Sequence, residues 1–213
     1  MLETMKGAIF DLDGVIVDTA KYHYLAWRSL AKRLGFEFTE EDNERLKGVS
    51  RMESLQILLE VGGVEANEAE RLEMADAKNK EYVDYISRLE PSEILPGARE
   101  YLLQLRSRGV KVALGSASKN AEFILNRLGI AELFDAVIDG TKVSKAKPDP
   151  EVFLAASAAL GLEPSACVVF EDAAAGVQAG KAAGSKVVGI GSADILAEAD
   201  RVINGLYELA EIH

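Results

Sequence analysis

Cysteine and histidine are nearly absent from this sequence of 213 residues: Cys167 stands alone, accompanied only by His23 and His213. No intrachain disulfide can form, and a tetrahedral Cys/His zinc site cannot be assembled. A metal bound here is therefore expected to be a hard cation held by oxygen. Long apolar runs are missing too; the longest, residues 152–162, falls well short of the ~18 residues of a membrane-spanning helix. The opening Met1-Leu2-Glu3-Thr4-Met5-Lys6 leads into a short apolar stretch stopped by Asp11. That is too short and too acidic for a secretory signal, so the cytoplasm is the expected location. Positive charge is in deficit, with 24 Lys and Arg against 35 Asp and Glu for a net −11. A nucleic-acid or anionic-membrane partner is accordingly not expected.

What the chain does have, 48% hydrophobic and 28% charged residues, suits one soluble domain or one domain with a modest insertion. Short apolar runs recur at 7–10, 110–114, 136–138, 167–170 and 186–190, as strands buried on both faces of a parallel sheet do. Between them lie helical patterns at 96–109, from a Ser118 cap to 129, at 150–160 and at 173–183. Strand alternating with helix predicts an α/β fold with a doubly wound parallel sheet. Residues 18–87 break the rhythm with helical signals only. The expected division is thus a core of 1–17 and 88–213 with an inserted all-helical domain at 18–87. Inside the insertion, Thr39-Glu40-Glu41-Asp42 and Ser50-Arg51-Met52-Glu53 fit capping boxes, and Gly35 and Gly62-Gly63 are helix stops. Gly176, Gly180 and Gly184 recur at helical spacing, which predicts close helix packing.

Chemistry concentrates where these strands end. In Phe10-Asp11-Leu12-Asp13-Gly14-Val15, two acids two residues apart on extended backbone face the same way, roughly 6.5 Å apart. One could attack an electrophile while the other exchanges protons with it. Leu114-Gly115-Ser116-Ala117-Ser118 brings hydroxyls and backbone N–H groups to a helix start, a cradle for phosphate oxygens. Lys147-Pro148-Asp149-Pro150 places a cation before a helix, and Phe170-Glu171-Asp172 pairs two carboxylates suited to a divalent ion. Singly, each has a plainer reading: a solvated acidic turn, a helix cap at Ser118, a surface loop, or helix-start acids stabilised by the dipole.

Together, in this order and each at a strand end, the four segments resemble the haloacid dehalogenase superfamily of phosphotransferases, with its Rossmann-like core and inserted cap. The resemblance implies that Asp11 is the nucleophile that becomes an aspartyl phosphate and Asp13 the general acid and base. Ser116 and Lys147 would bind the phosphoryl group. Asp11, the backbone carbonyl of Asp13, Glu171 and Asp172 would surround Mg²⁺, directly or through water. Lys145 is a second cation nearby, but Lys147 directly precedes proline and is preferred; Ala173 stands where a hydroxyl is often found.

A finer likeness rests on Asp18-Thr19-Ala20 with His23 and Trp27, on Leu46-Lys47-Gly48-Val49-Ser50-Arg51, on Lys78-Asn79, and on Ser116-Ala117-Ser118-Lys119-Asn120. These are similar to the branch of the superfamily that interconverts β-glucose 1-phosphate and glucose 6-phosphate. Its intermediate, β-glucose 1,6-bisphosphate, also primes the enzyme. By that resemblance Thr19, His23, Lys47, Gly48, Val49, Ser50, Ser54 and Lys78 recognise the sugar phosphate and couple it to cap closure. Arg51 would clamp the non-reacting phosphate, Ala117 and Asn120 would contact phosphate, and Ser118 and Lys119 the substrate. The implied partner is a small sugar phosphate acted on by a monomer. By pattern alone His23 and Lys78 could be half-buried packing residues, Ser50 a helix cap, and Lys47 and Arg51 solvated surface. The rival within the fold is a sugar-phosphate phosphatase; a phospho-acceptor signalling module is less consistent, since its acceptor Asp is expected at a later strand. The surplus of acid then becomes a local expectation: Lys47, Arg51, Lys78, Lys119 and Lys147 converge in a cationic pocket inside an acidic shell.

Overall fold

Gly7–Phe10 (β1) is buried at every position, and the other apolar runs follow it into one sheet: Lys111–Gly115 (β2), Ala136–Ile138 (β3), Cys167–Glu171 (β4) and Lys186–Ile190 (β5). Residues 1–47 and 49–210 of this computed structural model are described; Gly48 and His213, both singled out above, lie outside the described residues. A sixth strand, Arg201–Ile203 (β6), was not expected; three residues are too few to show a period. All pairings are parallel, in the order β3-β2-β1-β4-β5-β6.

Alternation along the strands sorts the core onto two faces. Phe10, Leu114 and Phe170 pack with Tyr101, Leu102 and Leu125, from the helices Ala98–Ser107 (α5) and Ala121–Arg127 (α6). Ile9, Ala113 and Val169 pack with Phe153 and Val177, from Glu151–Ala159 (α7) and Ala174–Ala182 (α8). The sheet is doubly wound, as expected. Strand order reverses beside β1, and a crevice forms there at the carboxyl ends of the strands. The register pairs Phe10 with both Leu114 and Phe170, which brings Asp11, Gly115 and Glu171 to one level.

Between β1 and β2 the chain is helical: Ala20–Leu34 (α1), Glu40–Glu44 (α2), Arg51–Gly62 (α3) and Glu68–Ile86 (α4). Trp27, Leu30, Phe38, Leu55, Leu58 and Ala75 form a separate cluster there. Gly35 and Gly63 end α1 and α3 in the left-handed conformation, which glycine adopts without steric cost. The Thr39/Asp42 capping box forms in full, and an unanticipated one joins Asn67 and Glu70. Ser50 accepts from the Glu53 N–H without the reciprocal bond.

Two local expectations are corrected. Ser118 does not cap a helix: α6 starts at Ala121, and the Ser118 hydroxyl accepts the Asn120 N–H at 3.2 Å. Of the three spaced glycines, Gly176 and Gly180 are packing positions, but Gly184 has φ 87° and nothing near its missing Cβ, so it is a turn. No described helix is long and apolar enough to cross a membrane.

Candidate active site

Asp11 follows β1 directly, and its Oδ1 accepts from Lys147 Nζ at 2.6 Å. The same ammonium donates to Glu171 Oε1 at 2.5 Å and to the Gly115 carbonyl at 3.1 Å, and lies 4.9 Å from the Phe153 ring centroid. One lysine thus ties the ends of β1, β2 and β4 together. Burial alone would lower its pKa, but the Asp11 and Glu171 carboxylates outweigh burial and hold it above the ordinary lysine value. Lys145, by contrast, is exposed and pairs with Asp149 at 3.4 Å.

Glu171 is fully engaged, because its Oε2 accepts the Ala173 N–H at 3.0 Å. Burial pushes its carboxyl up, with Lys147 the main opposing influence. Asp172 is raised well above the carboxylate range by burial and then by the charges of Glu171 and Asp11. Three like charges brought together in this way call for a cation. Oxygens of Asp11, Glu171 and Asp172 lie within 4.8 Å of one another, and an all-oxygen set suits Mg²⁺. Two glycines make the room: a Cβ at Gly14 would overlap the Asp172 carboxylate, and one at Gly176 that of Glu171. The residues therefore fit a divalent ion, with Asp11 Oδ2 and the Asp172 carboxylate having no protein hydrogen-bond partner among the described residues.

Asp13 keeps 26% of its side-chain surface, but that surface faces the cleft rather than bulk water. Burial, and then the Asp11 charge, raise it to about 8, which keeps both its acid and its base form within reach near neutrality. Its Oδ1 has no hydrogen-bond partner, and His23 Nε2 stands 3.8 Å from Oδ2. His23 is held well below its ordinary pKa by burial, then by the Lys78 and Arg51 charges, and it stacks on Tyr82 at 3.9 Å. Its Nδ1 meets Lys78 Nζ at 2.8 Å, consistent with a neutral ring accepting there. Lys78 is almost wholly buried, lies 4.4 Å from the Trp27 ring centroid, and is pushed down to about 7 by burial and Arg51. It does more than snorkel.

Asp11, Asp13, Asp172, His23 and Lys78 share one cleft with about 880 Å³ of free space, part of it open to solvent. Asp11, Asp13, Ser116, Ala117, Ser118, Lys119, Asn120 and Asp172 line it from the sheet side; His23, Lys47, Val49, Arg51, Ser54 and Lys78 line it from the helical side. Ser116 Oγ accepts the Ser118 N–H at 3.1 Å, which leaves its own O–H to donate. Lys47 pairs with Glu44 at 2.9 Å. Four expected residues are not among those lining it: Lys147 and Glu171 are buried and reach it only through the Lys147 contact with Asp11, and two others are turned away. Thr19 is fully buried at the start of α1 with an unpartnered hydroxyl, and Ser50 spends its hydroxyl capping α3 and lines a neighbouring pocket.

A sequence profile described as haloacid dehalogenase-like hydrolase matches residues 5–184. The chain belongs to the haloacid dehalogenase-like hydrolase family. Within that family, the β-phosphoglucomutase of Bacillus subtilis is 45% identical over 207 residues, covering 96% of this chain and 92% of that protein. The phosphorylated carbohydrates phosphatase of Thermotoga maritima is 36% identical over 187 residues, covering 84% of this chain and 82% of its own length. A solved β-phosphoglucomutase from Clostridium difficile superposes with a TM-score of 0.93 at 43% identity, covering 96% and 93% of the two chains.

Three further residues of this haloacid dehalogenase-like site escaped the sequence reading as functional positions. Asn43 lines the cleft from α2, Asn79 lines it beside Lys78, and Tyr82 carries the His23 ring. Tyr82 had a signal, since it stands four residues after Lys78 on one helix face. Asn79 was already part of the Lys78-Asn79 likeness but carried no assigned role, and Asn43 had no signal, because a lone asparagine carries no periodicity.

Proposed function

We propose that this chain is a Mg²⁺-dependent β-phosphoglucomutase, interconverting β-glucose 1-phosphate and glucose 6-phosphate through an aspartyl phosphate and β-glucose 1,6-bisphosphate. The observation that carries it is the joint placement of Asp11 and Asp13 with His23, Lys78 and Arg51 in a single cleft between the sheet and the helices. The likeness to β-phosphoglucomutases along nearly the whole chain supports the same reading. Residues 18–87 act in it as a cap domain over a core of 1–17 and 88–213.

In the first half-reaction the C6 hydroxyl of β-glucose 1-phosphate attacks phosphorus on phospho-Asp11. Its proton passes to Asp13, and the bond between phosphorus and the Asp11 oxygen breaks. The bisphosphate turns over in the cleft. An Asp11 oxygen then attacks the 1-phosphate, and the C1 oxygen leaves as glucose 6-phosphate, taking back the Asp13 proton. A carboxyl poised near neutrality serves both directions. Lys147 and Ser116 hold the transferring phosphoryl group, while Arg51, with Ser118, Lys119 and Asn120, holds the other phosphate. A Mg²⁺ held by Asp11, Glu171, Asp172 and the Asp13 carbonyl, directly or through water, would neutralise charge on the transferring oxygens. Enclosure by the helices keeps water from the aspartyl phosphate. The reading takes the enzyme as a cytoplasmic monomer: one chain supplies every cleft residue, and sugar phosphates do not cross a bilayer unaided.

A coupled assay for glucose 6-phosphate, started from β-glucose 1-phosphate with and without Mg²⁺ and bisphosphate, tests this. Product that requires both additions supports the mutase. Inorganic phosphate with no glucose 6-phosphate makes the protein a sugar-phosphate phosphatase instead.

A further inference from the structure

Asn120 occupies the N-cap position of α6, where an asparagine side chain ordinarily accepts a backbone N–H of the first turn. It makes no such bond. Its Nδ2 donates instead to Asn79 Oδ1 at 3.0 Å, on the far side of the cleft. Among the described residues this is the one side-chain hydrogen bond between α4 and the loop after β2. Of the other side-chain contacts between the helical insertion and the rest, Tyr22 and Lys21 reach Glu93 near the connecting segments, and His23 Nε2 faces Asp13 Oδ2 across the cleft at 3.8 Å, beyond hydrogen-bond range.

We propose that Asn79 is a positioning residue: by holding the Asn120 carboxamide, it couples the closed position of the cap to the orientation of the phosphate-binding loop. An amide nitrogen has two N–H donors. With one held by Asn79, the other is set toward an incoming sugar phosphate, and a cap that swings away takes that preset with it. The consequence for phosphate binding rests on the mutase reading above; the coupling itself needs no substrate.

Trp27, the only tryptophan, lines the cleft and is 2% exposed, so acrylamide quenching of its fluorescence reads opening in the substrate-free full chain. Alanine is a good helix former, so Asn79→Ala leaves α4 intact. The variant should raise the open fraction about 2- to 10-fold, the worth of one hydrogen bond, and quenching should rise with it. Asn120→Ala should do the same, and the double variant no more than either single one, because the two share one bond. Asn79→Asp, which keeps an acceptor, should quench like the parent. With β-glucose 1-phosphate, Asn79→Ala should raise KM more than it lowers kcat. Unchanged quenching in Asn79→Ala, or increments that add in the double variant, would overturn the proposal. Since quenching is read without substrate, failure of the mutase assay leaves this test standing.

Discussion

The carboxylate of Glu171 fills the space that a side chain at Gly176 would need: an added Cβ there overlaps both carboxylate oxygens. Glu171 cannot swing aside freely, because Lys147 holds one oxygen and the Ala173 N–H the other. Gly176→Ala should therefore keep the sheet but displace the carboxylate, weakening Mg²⁺ activation. The expected readout is a higher apparent Mg²⁺ activation constant with a lower kcat. An unchanged constant would mean that Glu171 does not help hold the ion.

Among the described residues, Lys147 is the one cation between the Asp11 and Glu171 carboxylates, at 2.6 and 2.5 Å. Lys147→Met leaves Asp11 and Glu171 unbalanced, and breaking such a buried pair costs about 3–5 kcal/mol. Added Mg²⁺ should return part of that stability. The thermal midpoint of the variant should rise on Mg²⁺ addition by more than that of the parent protein, while turnover stays lost.

Asp13 offers a test by pH. Its pKa is about 8 in the folded protein against an ordinary 3.8. Between those values the folded state keeps a proton that the unfolded chain has released, so this group lowers stability as pH rises through the window. Asp13→Asn removes the titration. In metal-free protein the variant's midpoint should gain on the parent's progressively across that range, at roughly 2–4 °C per kcal/mol for a chain of this size. A gap constant with pH would contradict the raised pKa. Turnover should fall about 10²–10⁴-fold with the loss of the acid and base.

Arg51 lines the cleft with no ion-pair partner among the described residues, leaving its guanidinium for the phosphate that is not reacting. Arg51→Lys keeps the charge but loses the fork. KM for β-glucose 1-phosphate should rise about 10- to 100-fold, the worth of a charge-assisted hydrogen bond, with a smaller change in kcat.

The sheet and the acids at its strand ends were legible because strands buried on both faces are continuous apolar runs, and Asp11, Glu171 and Asp172 interrupt them abruptly. The three-residue β6 has too little pattern to read. On the helical side, the family resemblance named Lys78 and His23 where periodicity left them as half-buried packing residues, and neither could say that they touch, 55 residues apart. Nor could it tell that Thr19 is sealed beneath the cleft while Arg51 enters it. Hydroxyls misled most: Ser118 and Ser50 look alike beside a helix start, yet Ser50 caps α3 and Ser118 turns to the loop before Asn120. Which bond a serine makes is set by the backbone around it, and that is a tertiary fact.

The central claim is that phospho-Asp11 surrenders its phosphoryl group to a sugar hydroxyl rather than to water. Enzyme loaded from bisphosphate and freed of excess ligand carries the mass of one added phosphoryl group, which can be followed over time with and without β-glucose 1-phosphate. The account predicts slow loss in buffer alone and rapid loss on adding the sugar phosphate, with glucose 6-phosphate formed and little inorganic phosphate. Loss at the same rate in both, with all of it appearing as inorganic phosphate, would contradict it.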